Sequence, residues 1–486
     1  MTILVLIDTE WSDAEMEPTE AIATLTRSGA IEGYAIEPIP DELKTVRWPD
    51  LFLLVSNFLI NPSTILIGGL AVASGLSFWA TILSSTLGIV VAFSAYIVMA
   101  TVGVDYGITG QVACRMVFGI RGAKWLPSVM RTIASAYWFA MQTIVGATVI
   151  VTIGHQWTGR SYSVVRTGMV LASLQVFFAL IGYNWLKLIS RFGLPVKVAG
   201  ILYLFWVLVH TPGASYRPPA ALHFHEHPGG GYILAAVWLN SLTGAWLTMI
   251  TDAADFCRYT RSRADMWWGT MLAGVLATGF SVSLGAYGAA ASLGRQPNPF
   301  SLAADVHPQW FTLLVLLVVI ALDEITINVM NLYTGGLSLS NLFEGPGRFW
   351  NTLFVGIVST FLSAFPVLLD RLVPLTTALG NLFAPLAGVL LFHYLFVAHM
   401  RIDVPALFDP KGIYHYWHGV NVTAVVWCFV GGGVYYLLPI GALPAVIVPL
   451  ITGTGYLLTM RAQERMQPGS AEGRQDYEFQ ASSPNE

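Results

Sequence analysis

From Leu51 onward, apolar residues gather into twelve stretches, about 51–76, 78–103, 127–153, 163–183, 193–210, 232–254, 267–292, 310–340, 349–369, 372–399, 419–438 and 441–460. Each is roughly the ~20 residues that a helix needs to cross a bilayer, and neither period-2 alternation nor a polar helical face interrupts them. The pattern therefore predicts an all-α integral membrane protein of twelve transmembrane helices. Residues 1–47 read as an N-terminal tail, 48–461 as the helical domain and 462–486 as a C-terminal tail. Only five of the 24 Lys and Arg residues, Arg160, Arg166, Arg217, Arg295 and Arg371, fall on the side opposite the tails. By the positive-inside rule both termini are expected in the cytoplasm, with the chain in the plasma membrane.

One stretch breaks the apolar pattern in a way that points to function. Trp310 to Asn341 opens as a long apolar run, yet Asp323, Glu324, Thr326, Asn328 and Asn331 lie about midway along it. A charged side chain at the bilayer centre costs ~2.5–3.5 kcal/mol on insertion scales, so these carboxyls must be protonated, paired or turned toward an internal cavity. Glu324, Asn328 and Asn331 recur at i, i+4, i+7 and share a face, with Asp323 and Thr326 on an adjacent one. Helix-to-helix glue explains one or two such groups. Five within nine residues suggest a pathway.

Two other spans carry interruptions. Pro62, after Asn57-Phe-Leu-Ile-Asn61, cannot donate its N–H and clashes with the preceding turn, which predicts a broken first span. In the sixth span, Asn240-Ser-Leu-Thr-Gly244-Ala-Trp246 places the expected unwound point at Gly244. Broken helices at mid-membrane are tolerated where the freed carbonyls are buried or line a cavity. In the third span, Trp138 and Gln142 at i, i+4 put an aromatic slab and an amide on one face, a pair able to stack a flat ring and grip its edge.

Composition agrees and excludes other classes. At 486 residues with 55% hydrophobic and 11% charged, the chain is too apolar for a soluble globular protein, and a net charge of -4 gives nucleic-acid binding no electrostatic basis. Cys114, Cys257 and Cys428 form no spaced motif, and His223, His225 and His227 in HFHEH read as a solvated outer loop rather than a zinc site. Only His393 lies well inside a span, so an embedded enzyme lacks convergent catalytic groups. A transporter-like sensor would need a signalling domain that tails of this length do not supply.

Several of these motifs are shared with a known family. NPST at 61–64, GVDYGITGQVACRMVFGIRGAKWLPSVMR, AYWFAMQTIVG, ADFCRY at 254–259, NLYTGGLSLSNLF, RIDVPALFD and YHYWHGVN resemble the nucleobase:cation symporter-1 family, in particular its purine-cytosine permease branch. The resemblance implies a five-plus-five inverted repeat (LeuT-like) with broken helices 1 and 6 and two extra C-terminal helices. It also implies a cation-coupled symporter of a nucleobase or related heterocycle such as cytosine or a purine, with allantoin, hydantoin or a pyrimidine-type vitamin precursor as alternatives. No cofactor is implied beyond a coupling H⁺ or Na⁺. Transferred residue by residue, the family's substrate positions fall on Trp138, Gln142, Ala245, Trp246 and Asn331, and Asn57 and Asn61 at the first break join them as candidates. Its sodium-coupled members use carbonyls of the first break and two hydroxyls of the eighth span. Here Thr326 matches one hydroxyl while Ile325 stands in place of the other, so Asp323 or Glu324 becomes a candidate for an extra oxygen or for carrying a proton.

Overall fold

The computed structural model describes residues 37–181, 183–224 and 231–466. Residues 1–36 and 467–486 of the expected tails, and His225 and His227, lie outside them. Long helices follow the apolar stretches in order: α1 Trp48–Leu59, α2 Pro62–Ala73, α3 Phe78–Tyr106, α4 Ile120–Thr158, α5 Val164–Ile181, α6 Tyr183–His210, α7 Gly231–Leu247, α8 Ala253–Cys257, α9 Arg263–Ala291, α10 Trp310–Leu342, α11 Gly347–Leu362, α12 Leu372–Val397, α13 Val422–Leu437 and α14 Pro444–Met466. Among the described residues eight helices are long and apolar enough to cross a membrane singly, and α1 with α2 forms a ninth span bent by 54°. α5 and α13 are shorter apolar helices, and α11, 16 residues long, stands at the remaining predicted position. α14 runs to Met466, a little beyond the predicted domain end at 461.

The bend between α1 and α2 follows from the local sequence. Pro62 takes the first position of α2, where a missing N–H costs nothing, and Asn61 caps it, its Oδ1 accepting from Thr64 N at 2.9 Å. The Asn61 amide nitrogen returns to the carbonyl of Phe58 at 2.7 Å, one of the acceptors that the break exposes. One side chain thus closes both ends of the interruption.

The second break departs from the expected place. α7 stays wound through Gly244 and ends at Leu247. A 3-10 turn, Thr248–Thr251, follows, then an irregular Asp252 with φ -126°, before α8 resumes the path. Gly244 instead lets α12 approach, since a Cβ there would lie 2.8 Å from the Cα of Gly380. The helix opens where donors are waiting for its carbonyls: Arg131 reaches Thr248 O at 3.1 Å and Gln111 reaches Thr251 O at 3.2 Å. Asn240, in the same predicted interruption, is a docking residue, holding Tyr435 Oη at 2.9 Å and Ala445 N at 2.7 Å.

α10 runs antiparallel along α4. Asn328 meets Phe139 and Thr143, Thr334 meets Arg131 and Ser135, and Gly146 admits the Glu324 carboxyl. α1 and α2 lie on α9, α7 lies between α3 and α12, and α6 bridges α1 and α10. His393, the inward histidine, meets Tyr456 Oη at 2.7 Å and ties α12 to α14. Asp105 pairs with Arg263 across α3 and α9.

Close packing of α2 on α9 rests on glycine. A Cβ on Gly285 would lie 2.8 Å from Gly69 N and 2.9 Å from the Ile65 carbonyl carbon. Gly285→Val should therefore destabilise the bundle by ~1–3 kcal/mol, the usual cost of overpacking. The measurement is the thermal midpoint of detergent-solubilised protein, with Gly433→Val as control because nothing lies within 4 Å of its Cβ position. Equal midpoints for the two variants would refute this packing account.

Candidate functional site

The two breaks face each other across a cavity enclosed by α1, α2, α4, α7, α8 and α10. Phe58, Asn61, Ser63 and Thr64 line it from the first break, Arg131, Trp138 and Gln142 from α4, Ala245, Trp246, Thr248 and Met249 from the second break, Phe256 from α8, and Met330 and Asn331 from α10. Trp138 and Trp246 are half-buried while their sequence neighbours are buried, because each ring has one face on the cavity. Trp246 is backed by Phe58 and Phe93, with ring centroids 6.5 and 6.2 Å away, and Trp138 by Tyr137 at 5.2 Å. Ala245, 4% exposed, leaves room for the α7 backbone to approach. Gln142 accepts from Ser63 N at 3.3 Å, so the amide of α4 also pins the first turn of α2.

Five of the residues predicted for substrate binding, Trp138, Gln142, Ala245, Trp246 and Asn331, are therefore brought together. The two asparagines of the first break are not equivalent partners. Asn61 lines the cavity, but its amide is committed to the cap and to the Phe58 carbonyl. Asn57 is outside the cavity lining and faces α6, where its backbone carbonyl and Oδ1 both accept from Lys197 Nζ. Pattern alone missed the reason, which is that a helix carries these residues four apart while the break rotates their faces.

Lys197 is a buried cation whose partners the apolar pattern does not disclose. Counted by its position near a span end as a cytoplasmic-side charge, it is instead fully buried in α6. Its Nζ lies 2.5 Å from Asp323 Oδ1, 2.8 Å from Asn57 O, 2.5 Å from Asn57 Oδ1 and 3.4 Å from Thr326 Oγ1. These include the broken-span carbonyl and the α10 hydroxyl that the family resemblance assigns to sodium. An ammonium group of the chain itself lies against them. An ionisable residue inside LPVKVAG, an otherwise apolar run, was the available signal.

Glu324, adjacent in sequence to Asp323, belongs to a different cluster. Its Oε2 accepts from Gln175 Nε2 of α5 at 3.0 Å, and Gln175 Oε1 accepts from Thr143 Oγ1 at 2.9 Å and Asn328 Nδ2 at 2.8 Å. Asn331 Nδ2 donates to Asn328 Oδ1 at 3.2 Å, completing a chain of amides from the buried carboxyl to the cavity wall. The predicted shared face of Glu324, Asn328 and Asn331 is this chain. At the cavity floor, Arg131 pairs with Asp252 at 2.9 Å, both buried, and donates to Thr334 Oγ1 at 2.9 Å.

A polytopic bundle whose broken helices close around an aromatic and amide cavity has the construction of a membrane transporter. Comparison with known proteins gives the family. Residues 38–458 match the family described as permease for cytosine/purines, uracil, thiamine, allantoin, and the chain belongs to it. It is a permease and not an enzyme. The hydantoin permease of Microbacterium maritypicum is 24% identical over 456 residues, covering 86% of each chain. The cytosine permease of Escherichia coli K12 is 28% identical over 317 residues, covering 64% of this chain and 67% of its own. The fold is shared with MHP1, a nucleobase-cation-symport-1 family transporter solved in a closed conformation with bromovinylhydantoin bound, at a TM-score of 0.77 and 20% identity, covering 89% of this chain and 96% of that one.

The buried pair yields a stability prediction. Lys197→Met leaves the Asp323 carboxylate without its cation and should cost ~3–5 kcal/mol, whereas the double variant Lys197→Met/Asp323→Leu should recover much of that. Thermal unfolding of the purified variants measures both. A double variant no more stable than the single one would show that the cost does not come from an unpaired Asp323 carboxylate.

Proposed function

We propose that this permease imports a nucleobase-like heterocycle across the plasma membrane, both termini cytoplasmic, with the ring held between Trp138 and Trp246 and its edge gripped by Gln142 and Asn331. The observation that carries this reading is the joining of two cavity-facing indoles and two amides at the meeting point of both helix breaks. Stacking on an aromatic face contributes ~1–3 kcal/mol and tolerates any base, which leaves identity to be read by the amides. The cytosine and hydantoin permeases similar to this chain support the substrate class. Trp138→Ala and Trp246→Ala should each weaken substrate affinity by about 5- to 150-fold, the stacking range converted to a binding ratio. Radiolabelled uptake of cytosine, adenine, hypoxanthine, uracil, allantoin and hydantoin by proteoliposomes measures this, and unchanged affinity in both variants would remove the indoles from the site.

The coupling ion is the proton. The Lys197 ammonium bridges α1 and α10 as a bound sodium would, and only proton transfer removes its charge or that of Asp323. Asp323 and Lys197 are the primary coupling groups, and Glu324, joined to the cavity by amides, is the second. Uptake should rise as external pH falls and stay level when sodium is replaced by choline. Glu324→Gln and Asp323→Asn should each flatten the pH response while exchange of labelled for unlabelled substrate survives. Uptake driven by a sodium gradient at fixed pH and indifferent to both substitutions would overturn proton coupling.

A further inference from the structure

Two motifs that the transport cavity does not use, GIRGAKW at 119–125 and YHYWHGVN at 414–421, meet at the corner of the bundle where α4 and α13 begin. Trp417–Val420 is a two-residue turn closed by Val420 N on Trp417 O at 2.9 Å, with both central residues left-handed, His418 at φ 49° and Gly419 at φ 85°. The Gly419 carbonyl accepts from Arg121 N at 2.9 Å and Gly122 N at 3.1 Å. A Cβ on Gly419 would lie 2.9 Å from Arg121 Cγ, so the arginine stem runs directly over the turn. Asn421 fastens the far side, its N–H and Nδ2 donating to Phe118 O and Val117 O, both at 2.8 Å.

Outward, this corner is basic and aromatic. Trp125 and Trp417, each 68% exposed, stand just before the apolar runs that become α4 and α13, the level at which indoles favour lipid head groups. Arg121 is exposed one turn from Trp125, and His418 is exposed beside the Trp417 ring, with 4.9 Å between centroids. Glu344 is shared by Arg115 at 2.9 Å and Lys124 at 3.0 Å, and among the described residues no carboxylate pairs with Arg121. In the adjoining loop Asp403 and Asp409 are matched in number by Arg401 and Lys411, so the corner keeps an excess of positive charge. Immediately beyond it Val422, Val426 and Phe429 recur at i, i+4, i+7 on α13, an exposed apolar stripe leading into the bilayer.

We infer that this corner binds an anionic phospholipid, its phosphate on the Arg121 guanidinium beside the His418 turn and an acyl chain along the α13 stripe. A guanidinium presents a planar fork that matches phosphate oxygens, and basic pockets between spans take such head groups. A soluble anion shares the charge but has nothing to lay on the stripe. The bound lipid joins the entry of α4 to α13, well away from the transport cavity.

The test is native mass spectrometry of the purified full chain in detergent, titrated with palmitoyl-oleoyl phosphatidylglycerol and with the matching phosphatidylcholine. One basic side chain at an anionic membrane surface contributes about fivefold in affinity, so phosphatidylglycerol should bind about fivefold or more tighter, and Arg121→Gln should remove most of that preference. Arg121→Lys keeps the charge and should keep the preference, as should Arg295→Gln, an exposed arginine on the opposite side of the bundle. Excess inorganic phosphate should not displace the lipid. In the wild-type chain a photoactivatable phosphatidylglycerol should label peptides containing 119–125 and 417–429, which locates the site even if Arg121→Gln fails to fold. Equal binding of the two lipids, a preference that survives Arg121→Gln, or labelling confined to other spans overturns the assignment. Displacement by inorganic phosphate alone also overturns it, leaving a site for a free anion.

Discussion

Inside a bilayer no water is available to satisfy a polar group, and that constraint orders this structure from its breaks outward. Opening a helix exposes carbonyls that elsewhere would find solvent, and here each must be met by a donor from another helix or from the break itself. The first break is closed by Asn61 and by Lys197, the second by Arg131 and Gln111. The residues that satisfy the interruptions are therefore also those that join neighbouring helices. The Lys197 ammonium ties α6 to α1 and α10, with Tyr203 and Thr312 as a further contact between α6 and α10, and the Arg131 guanidinium ties α4 to the second break.

The same constraint explains what could be read from the sequence. Spans were legible because a run of apolar residues has one physical meaning in a chain this hydrophobic, and Pro62 marked its break because proline has no N–H to give. Trp138, Trp246, Gln142 and Asn331 were found through the family resemblance, supported by the i, i+4 spacing on α4. Gly244 misled, because a glycine in a helix can mean unwinding or close approach, and only the position of Gly380 distinguishes them. Lys197, Gln175 and Arg131 were missed for a common reason. Each answers a partner on another helix, and nothing in its own neighbourhood announces that partner.

Asp323 and Glu324 show how much one residue step separates on a helix. A step of about 100° sends Asp323 toward α6 and the first break, and Glu324 toward α5 and the amide chain. The two acids look like one feature in the sequence and serve two walls in the fold. One faces the Lys197 ammonium. The other reaches the cavity through the neutral amides of Gln175, Asn328 and Asn331.

A cation drawn from solution leaves its site partly empty when the medium is dilute, and a carrier that depends on it slows accordingly. The ammonium of Lys197 is delivered by the chain, at an effective concentration fixed by the length of one side chain and the packing of α6. The oxygens of Asn57, Thr326 and Asp323 are therefore occupied alike in fresh water and in brine. Salinity drops out of the occupancy of this cage.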